Sequence, residues 1–161
     1  EREALWRLGD VHMWGKGGVS QDKVVAFELF ERSCEAGSFV GCVRLGRMWQ
    51  FGQGVESRDF ARAQQYYARA CDGGNGEGCV ALGHLYEAGL TSEGEQMAQA
   101  FALYERGCRQ GALQGCVDQG FMYERGRGTA RDVEAARKLY DEACHKGERD
   151  GCHRLLDQQA E

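Results

Sequence analysis

The segment Cys34-Glu35-Ala36-Gly37-Ser38-Phe39-Val40-Gly41-Cys42 begins and ends with cysteine, eight residues apart. The same frame returns at Cys71–Cys79, Cys108–Cys116 and Cys144–Cys152, with offsets of 37, 37 and 36 between successive pairs. Such regularity marks a tandem repeat of 36–37 residues. Working outward from the first cysteine of each pair, other columns emerge. Ala26, Ala63, Ala100 and Ala136 stand eight residues before it, and Phe30, Tyr67, Tyr104 and Tyr140 four before it. Gly37, Gly74, Gly111 and Gly147 follow it by three. Gly41, Gly78, Gly115 and Gly151 precede each second cysteine, and two more glycine columns run Gly9, Gly46, Gly83, Gly120 and Gly15, Gly52, Gly89, Gly126.

Each unit reads as two helices. The first spans about residues 5–14 in repeat one, with Leu8, Val11, His12 and Gly15 on one face at helical spacing. Gly15-Lys16-Gly17-Gly18 ends it. Asp22, Asp59 and Asp132 stand where a second helix starts and a carboxylate caps free N–H groups. That helix runs about residues 23–35, shows Ala26, Leu29 and Phe30 on one face, and stops at Gly37. Glycine inside a helix costs about 1 kcal/mol relative to alanine. Its return at Gly9, Gly46, Gly83 and Gly120 therefore points to a close helix–helix contact that a Cβ would obstruct.

On one continuous helix, cysteines eight apart would be separated by about 12 Å. A cystine needs Cα atoms within roughly 7 Å. The chain must reverse between them, and each bracketed segment is glycine-rich enough to do so. The expected pairs are Cys34–Cys42, Cys71–Cys79, Cys108–Cys116 and Cys144–Cys152, each joining the end of a second helix to the start of the next first helix. Zinc prefers closer cysteine spacing, and His12, His84, His145 and His153 do not recur with the cysteines, so no metal site is expected. Free buried thiols filling small positions are the other alternative. Even number and strict pairing favour cystines. These imply an oxidising compartment: periplasm, cell exterior or, less readily, a mitochondrial intermembrane space.

Composition narrows the class. The 161 residues carry a net charge of −5, are 42% hydrophobic and 28% charged, and include 24 Gly and no Pro. Interspersed charges argue against a nucleic-acid partner. No apolar run reaches the roughly 18 residues of a membrane helix. The chain opens at Glu1 without Met or an apolar leader, and reads as a mature protein or an excised fragment.

Leu82-Gly83-His84-Leu85-Tyr86-Glu87-Ala88-Gly89 and Gly52-Gln53-Gly54-Val55, followed by Ala63 and Tyr67, resemble the Sel-1-like repeat. Two cysteines per unit resemble the Helicobacter cysteine-rich protein subfamily. The resemblance covers nearly the whole chain. It implies an all-α, right-handed superhelix of stacked helix–turn–helix pairs with one disulfide per repeat, and secreted or periplasmic adaptor roles. The expected layout is one solenoid domain, 1–161, with repeats near 4–40, 41–77, 78–114 and 115–150 and a capping helix over 151–161. Departures are Leu90-Thr91-Ser92-Glu93 replacing a second loop glycine, Gln96 replacing the cap Asp, a shorter fourth loop, and Leu156 in the glycine column.

Some members of that subfamily carry a β-lactam-binding or β-lactamase label. Ser20-Gln21-Asp22-Lys23 spells the S-x-x-K of serine β-lactamases, but in an interhelix loop beside a cap and without S-D-N or K-T-G. No catalytic residue and no cofactor is expected. His12 shares a column with Trp49, Tyr86 and Tyr123 and reads as core-edge packing. Repeat proteins bind along successive first helices. The variable rows there are Asp10, Arg47, His84, Phe121; Trp14, Phe51, Ala88, Arg125; and Met13, Gln50, Glu87, Glu124. Binding is expected on a concave face at Asp10, Trp14, Arg47, Phe51, His84, Phe121 and Arg125, since aromatic and Arg side chains dominate hot spots. Alternatively, Trp14 packs on an N-terminal neighbour or on its own loop. The expectation is a monomeric, extracytoplasmic scaffold for a peptide or protein, with a β-lactam- or peptidoglycan-fragment-binding protein as the alternative.

Overall fold

The computed structural model describes residues 1–92 and 94–160, with side chains to Gln158. Glu93 of the third interhelix loop and Glu161 of the last segment lie outside the described residues. Among those described there are nine helices and no strand. They are α1 (Arg2–Trp14), α2 (Lys23–Glu35), α3 (Phe39–Phe51), α4 (Phe60–Asp72), α5 (Gly76–Glu87), α6 (Met97–Arg109), α7 (Leu113–Arg125), α8 (Val133–His145) and α9 (Arg149–Ala160). No helix of the described residues is long and apolar enough to cross a membrane.

Local chemistry sets the ends. Gly15, Gly52, Gly89 and Gly126 close the first helices of the four repeats at φ of 64–66°, a left-handed conformation that side chains with a Cβ resist. At the start of the second helices, Asp22 Oδ1 accepts from Val24 N and Val25 N at 3.0 Å. Asp59 Oδ1 does the same for Arg62 N at 3.0 Å, and Asp132 Oδ1 for Ala135 N at 2.9 Å. Gln96 makes no side-chain cap bond at the start of α6, as its departure from Asp suggests.

The chain forms two compact units, Glu1–Gly78 and Cys79–Glu161. In unit one, α1 packs on α2, α2 on α3 and α3 on α4 around Ala26, Phe30, Val43, Leu45, Met48, Ala63 and Tyr67. In unit two, α6 packs on α7, α7 on α8 and α8 on α9, with Ala100, Tyr104, Val117, Met122, Ala136 and Tyr140 buried.

The helix glycines face the aromatic column. A Cβ on Gly9 would lie 2.5 Å from the Phe30 ring, and on Gly46, Gly83 or Gly120 it would lie 2.6 Å from the ring of Tyr67, Tyr104 or Tyr140. The ring of each second helix thus rests on the backbone of the first helix of its own repeat.

A second close approach sets the cystines. A Cβ on Gly41 would meet Ser33 Oγ at 2.7 Å, and on Gly115 it would meet Cys108 N and Tyr104 O at 2.9 Å. The missing Cβ lets each first helix start against the backbone of the preceding second helix. Cα atoms of Cys34–Cys42 and Cys108–Cys116 then come within 4.6 Å, and those of Cys144–Cys152 within 4.7 Å, and all three pairs are bonded. Cys71 and Cys79 are disulfide-bonded too, and no cysteine is free.

Two residues differ from their sequence reading. Leu8, expected in the core, is 46% exposed, while Leu45 and Leu82 in the same column are 0% and 7% exposed. Periodicity finds the face of α1, but no described helix covers that part of it. Met13, expected on the open first-helix face, is buried.

Candidate functional site

The row holding Met13 turns inward because it meets the aromatic column. Gln50 Oε1 accepts from the Tyr67 hydroxyl at 2.6 Å, Glu87 Oε2 from Tyr104 at 2.6 Å and Glu124 Oε2 from Tyr140 at 3.1 Å. Met13 stands in the repeat whose aromatic is Phe30, which has no hydroxyl to donate. Sequence reading missed this pairing, although the signal was there: an acceptor accompanies every Tyr, and Met accompanies the single Phe of the column. Burial keeps all three tyrosine hydroxyls protonated far above their usual range, and the carboxylate acceptors push Tyr104 and Tyr140 further up.

The other two rows stay at the surface. In unit one, Asp10 of α1 is held by Arg44 of α3, Nε to Oδ1 at 3.0 Å and Nη2 to Oδ2 at 3.4 Å, a two-pronged pair tying consecutive first helices. Trp14 and Phe51 are 60% and 63% exposed. Arg47, one turn before Phe51, is exposed and has no ion-pair partner among the described residues.

Unit two presents different chemistry. His84 Nε2 lies 3.0 Å from Asp118 Oδ2 and its ring meets Tyr104 edge-on at 5.4 Å. The hydrogen bond to Asp118 raises the His84 pKa against the opposing effect of burial. Phe121 is half-buried, covered by Arg154 at 4.6 Å and approached by Arg125 at 5.7 Å. Glu87 accepts from Arg127 at 2.9 Å as well as from Tyr104. A pocket of about 420 Å3 beside Phe121 is lined by Glu87, Asp118, Asp150 and Asp157 with His153 and Arg154.

The expected site residues therefore divide. Asp10, Trp14, Arg47 and Phe51 lie on α1 and α3 of unit one, where both aromatics are open. His84, Phe121 and Arg125 lie on α5 and α7 of unit two, engaged with neighbouring side chains. Arg44, Asp118 and Arg154, which make those engagements, were not singled out from the sequence. Ser20 is exposed in the loop before α2, next to the cap Asp22, with Lys23 at the first helical position. His12 is half-buried, as is Trp49 of its column, which meets Phe27 edge-on at 5.5 Å. Among the described residues, no group of three or more His, Cys, Asp or Glu side chains is arranged to hold a metal ion.

The Sel1 repeat family model matches residues 2–38, 40–75, 76–111 and 116–148. The chain belongs to the Sel1 repeat family. Proteins built from Sel1 repeats generally act in protein–protein interaction, and the fold is typically a non-catalytic scaffold. A Sel1 repeat protein from Oxalobacter formigenes superposes with a TM-score of 0.83 at 23% identity, over 98% of this chain and 61% of that one. A protective antigen of uropathogenic Escherichia coli strains gives a TM-score of 0.83 at 27% identity, over 96% of this chain and 32% of that one. Helicobacter pylori cysteine-rich protein B gives 0.65 at 26% identity, over 84% of this chain and 96% of that one. The chain thus spans less than two thirds of the first two structures. No curated protein matches it.

Proposed function

We propose that this Sel1 repeat chain is a protein-binding scaffold that works in an oxidising, extracytoplasmic compartment and does no chemistry of its own. Its partner is a peptide or protein segment that lies along the first helices α1 and α3. The observation that carries this reading is the pair of open aromatic rings, Trp14 and Phe51, in equivalent positions of consecutive first helices. Elsewhere on the first helices, Phe121 is covered by arginine and Trp6 has Arg7 at 5.4 Å from its ring. Large rings left open on a rigid, cystine-stapled frame cost little entropy to bury against a partner, which is why such residues dominate interface energetics. The disulfides support the compartment, since thiols in the cytosol are kept reduced.

The experiment is a capture from envelope extract with three oxidised baits: wild type, Trp14→Ala with Phe51→Ala, and Val24→Ser with Leu156→Ser as exposed apolar controls. A partner held by wild type and by the control pair, and lost with the aromatic pair, supports the reading. A partner retained by the aromatic pair contradicts it.

A further inference from the structure

We infer that the segment bound by α1 and α3 carries an acidic side chain next to an aliphatic or aromatic one, and that Arg47 receives its carboxylate. The inference rests on the reading of α1 and α3 as the binding face, and it assigns the partner's chemistry.

The argument is a charge count around the two open rings. On α1, the stripe leading to Trp14 holds Arg7 and Asp10, and on α3 the stripe leading to Phe51 holds Arg44 and Arg47. Arg44 already grips both carboxylate oxygens of Asp10. Helix α3 contains no Asp or Glu, and Glu3, the other acid of α1, lies about 16 Å along the helix from Trp14. The position that receives the tyrosine hydroxyl is neutral Gln50 here, where unit two uses Glu87 and Glu124. Glu87 also takes up Arg127. Arg47 therefore keeps an uncompensated guanidinium one turn from Phe51, in a chain whose net charge is −5. Rings of a ligand seated on Trp14 and Phe51 would exclude water beside that guanidinium. A carboxylate placed there gains a charge-assisted pair, planar and bidentate in its best geometry. A basic group placed there meets Arg47 unopposed.

Selection of phage-displayed random peptides on the oxidised full chain supplies the probe. The best peptide is then titrated by fluorescence anisotropy. The proteins are wild type, Arg47→Gln, Trp14→Ala with Phe51→Ala, and Arg58→Gln, a control arginine that stacks on Phe60. Melting curves establish that each variant is folded. The expected result is enrichment of Asp or Glu beside an apolar residue. Arg47→Gln should weaken binding on the order of tenfold, with Arg58→Gln unchanged. Replacing the peptide's acid by its amide should cost wild type the same and Arg47→Gln almost nothing further. Peptides that need Trp14 and Phe51 but are neutral or basic, or whose acid matters equally with and without Arg47, overturn the inference and leave the binding face standing. Absence of any peptide that depends on Trp14 and Phe51 overturns both.

Discussion

In unit one, Asp10 of α1 is held by Arg44 of α3; in unit two, His84 of α5 is held by Asp118 of α7, at the same spacing of 34 residues with the charges reversed. Both pairs tie first helices of consecutive repeats. Around the first pair the surface is basic and aromatic, with Arg47, Trp14 and Phe51 open. Around the second it is acidic, with Asp118, Asp150 and Asp157 lining a pocket and Phe121 already covered. The same glycine–aromatic contact and a cystine underlie both. The frame is therefore separable from the surface it displays: the first is set by glycine, cysteine and ring, the second by side chains on the opposite stripe of the first helices.

The largest effect should come from breaking the frame. Gly46→Leu in unit one and Gly83→Leu in unit two each drive a side chain into a ring 2.6 Å from the new Cβ. Both should lose about 3 kcal/mol or more by denaturant melts. If one tolerates leucine, the two units do not share the contact.

Removing a cystine should cost slightly less. Cys34→Ser with Cys42→Ser, and Cys108→Ser with Cys116→Ser, should each lose about 2–3 kcal/mol in the chain-entropy account. Segment-resolved hydrogen exchange should rise mainly in the helices flanking each junction, α2 with α3 or α6 with α7. A uniform rise from α1 to α9 would mean that stability is not divided by repeat.

Much of this was legible because the repeat writes each structural demand four times. Gly9, Gly46, Gly83 and Gly120 announce a close approach, and Asp22, Asp59 and Asp132 announce a cap. What stayed hidden depends on register between helices. Asp10 and Arg44 belong to different columns, and they meet because α3 lies about one turn out of step with α1, as α7 does with α5. Nothing in a single repeat encodes that offset. Leu8 was misjudged because helical period identifies an apolar face but not whether another helix covers it. Met13 was misjudged because its column mixes acceptors with one apolar residue, and its role shows only beside Phe30.

That last pairing can be tested by exchange. Tyr67→Phe leaves Gln50 without its donor and should cost about 1 kcal/mol. Adding Gln50→Met recreates the Phe30–Met13 combination of repeat one and should recover part of the loss. An additive pair of losses would break the correspondence.

The smallest effect distinguishes the two interhelical pairs by pH. Because Asp118 raises the His84 pKa, the pair stabilises unit two fully below the unfolded histidine value of about 6.5 and loses that contribution as pH rises through the folded value. Relative to His84→Gln, wild type should lose stability as pH rises from about 6.5 upward through the raised folded value, by less than 1 kcal/mol because the pair is partly exposed. The Asp10–Arg44 pair contains no histidine, so Asp10→Asn should show no such dependence. The His84 ring titration by NMR checks the direction.

The separation of frame from surface is tested most directly by hydrogen exchange of the oxidised chain with and without the selected peptide. The account predicts protection over residues 2–14 and 39–51, the first helices of unit one, with α2, α4 and α7 unchanged. Protection centred on α2 and α4, or on α7 beside Phe121, would contradict it.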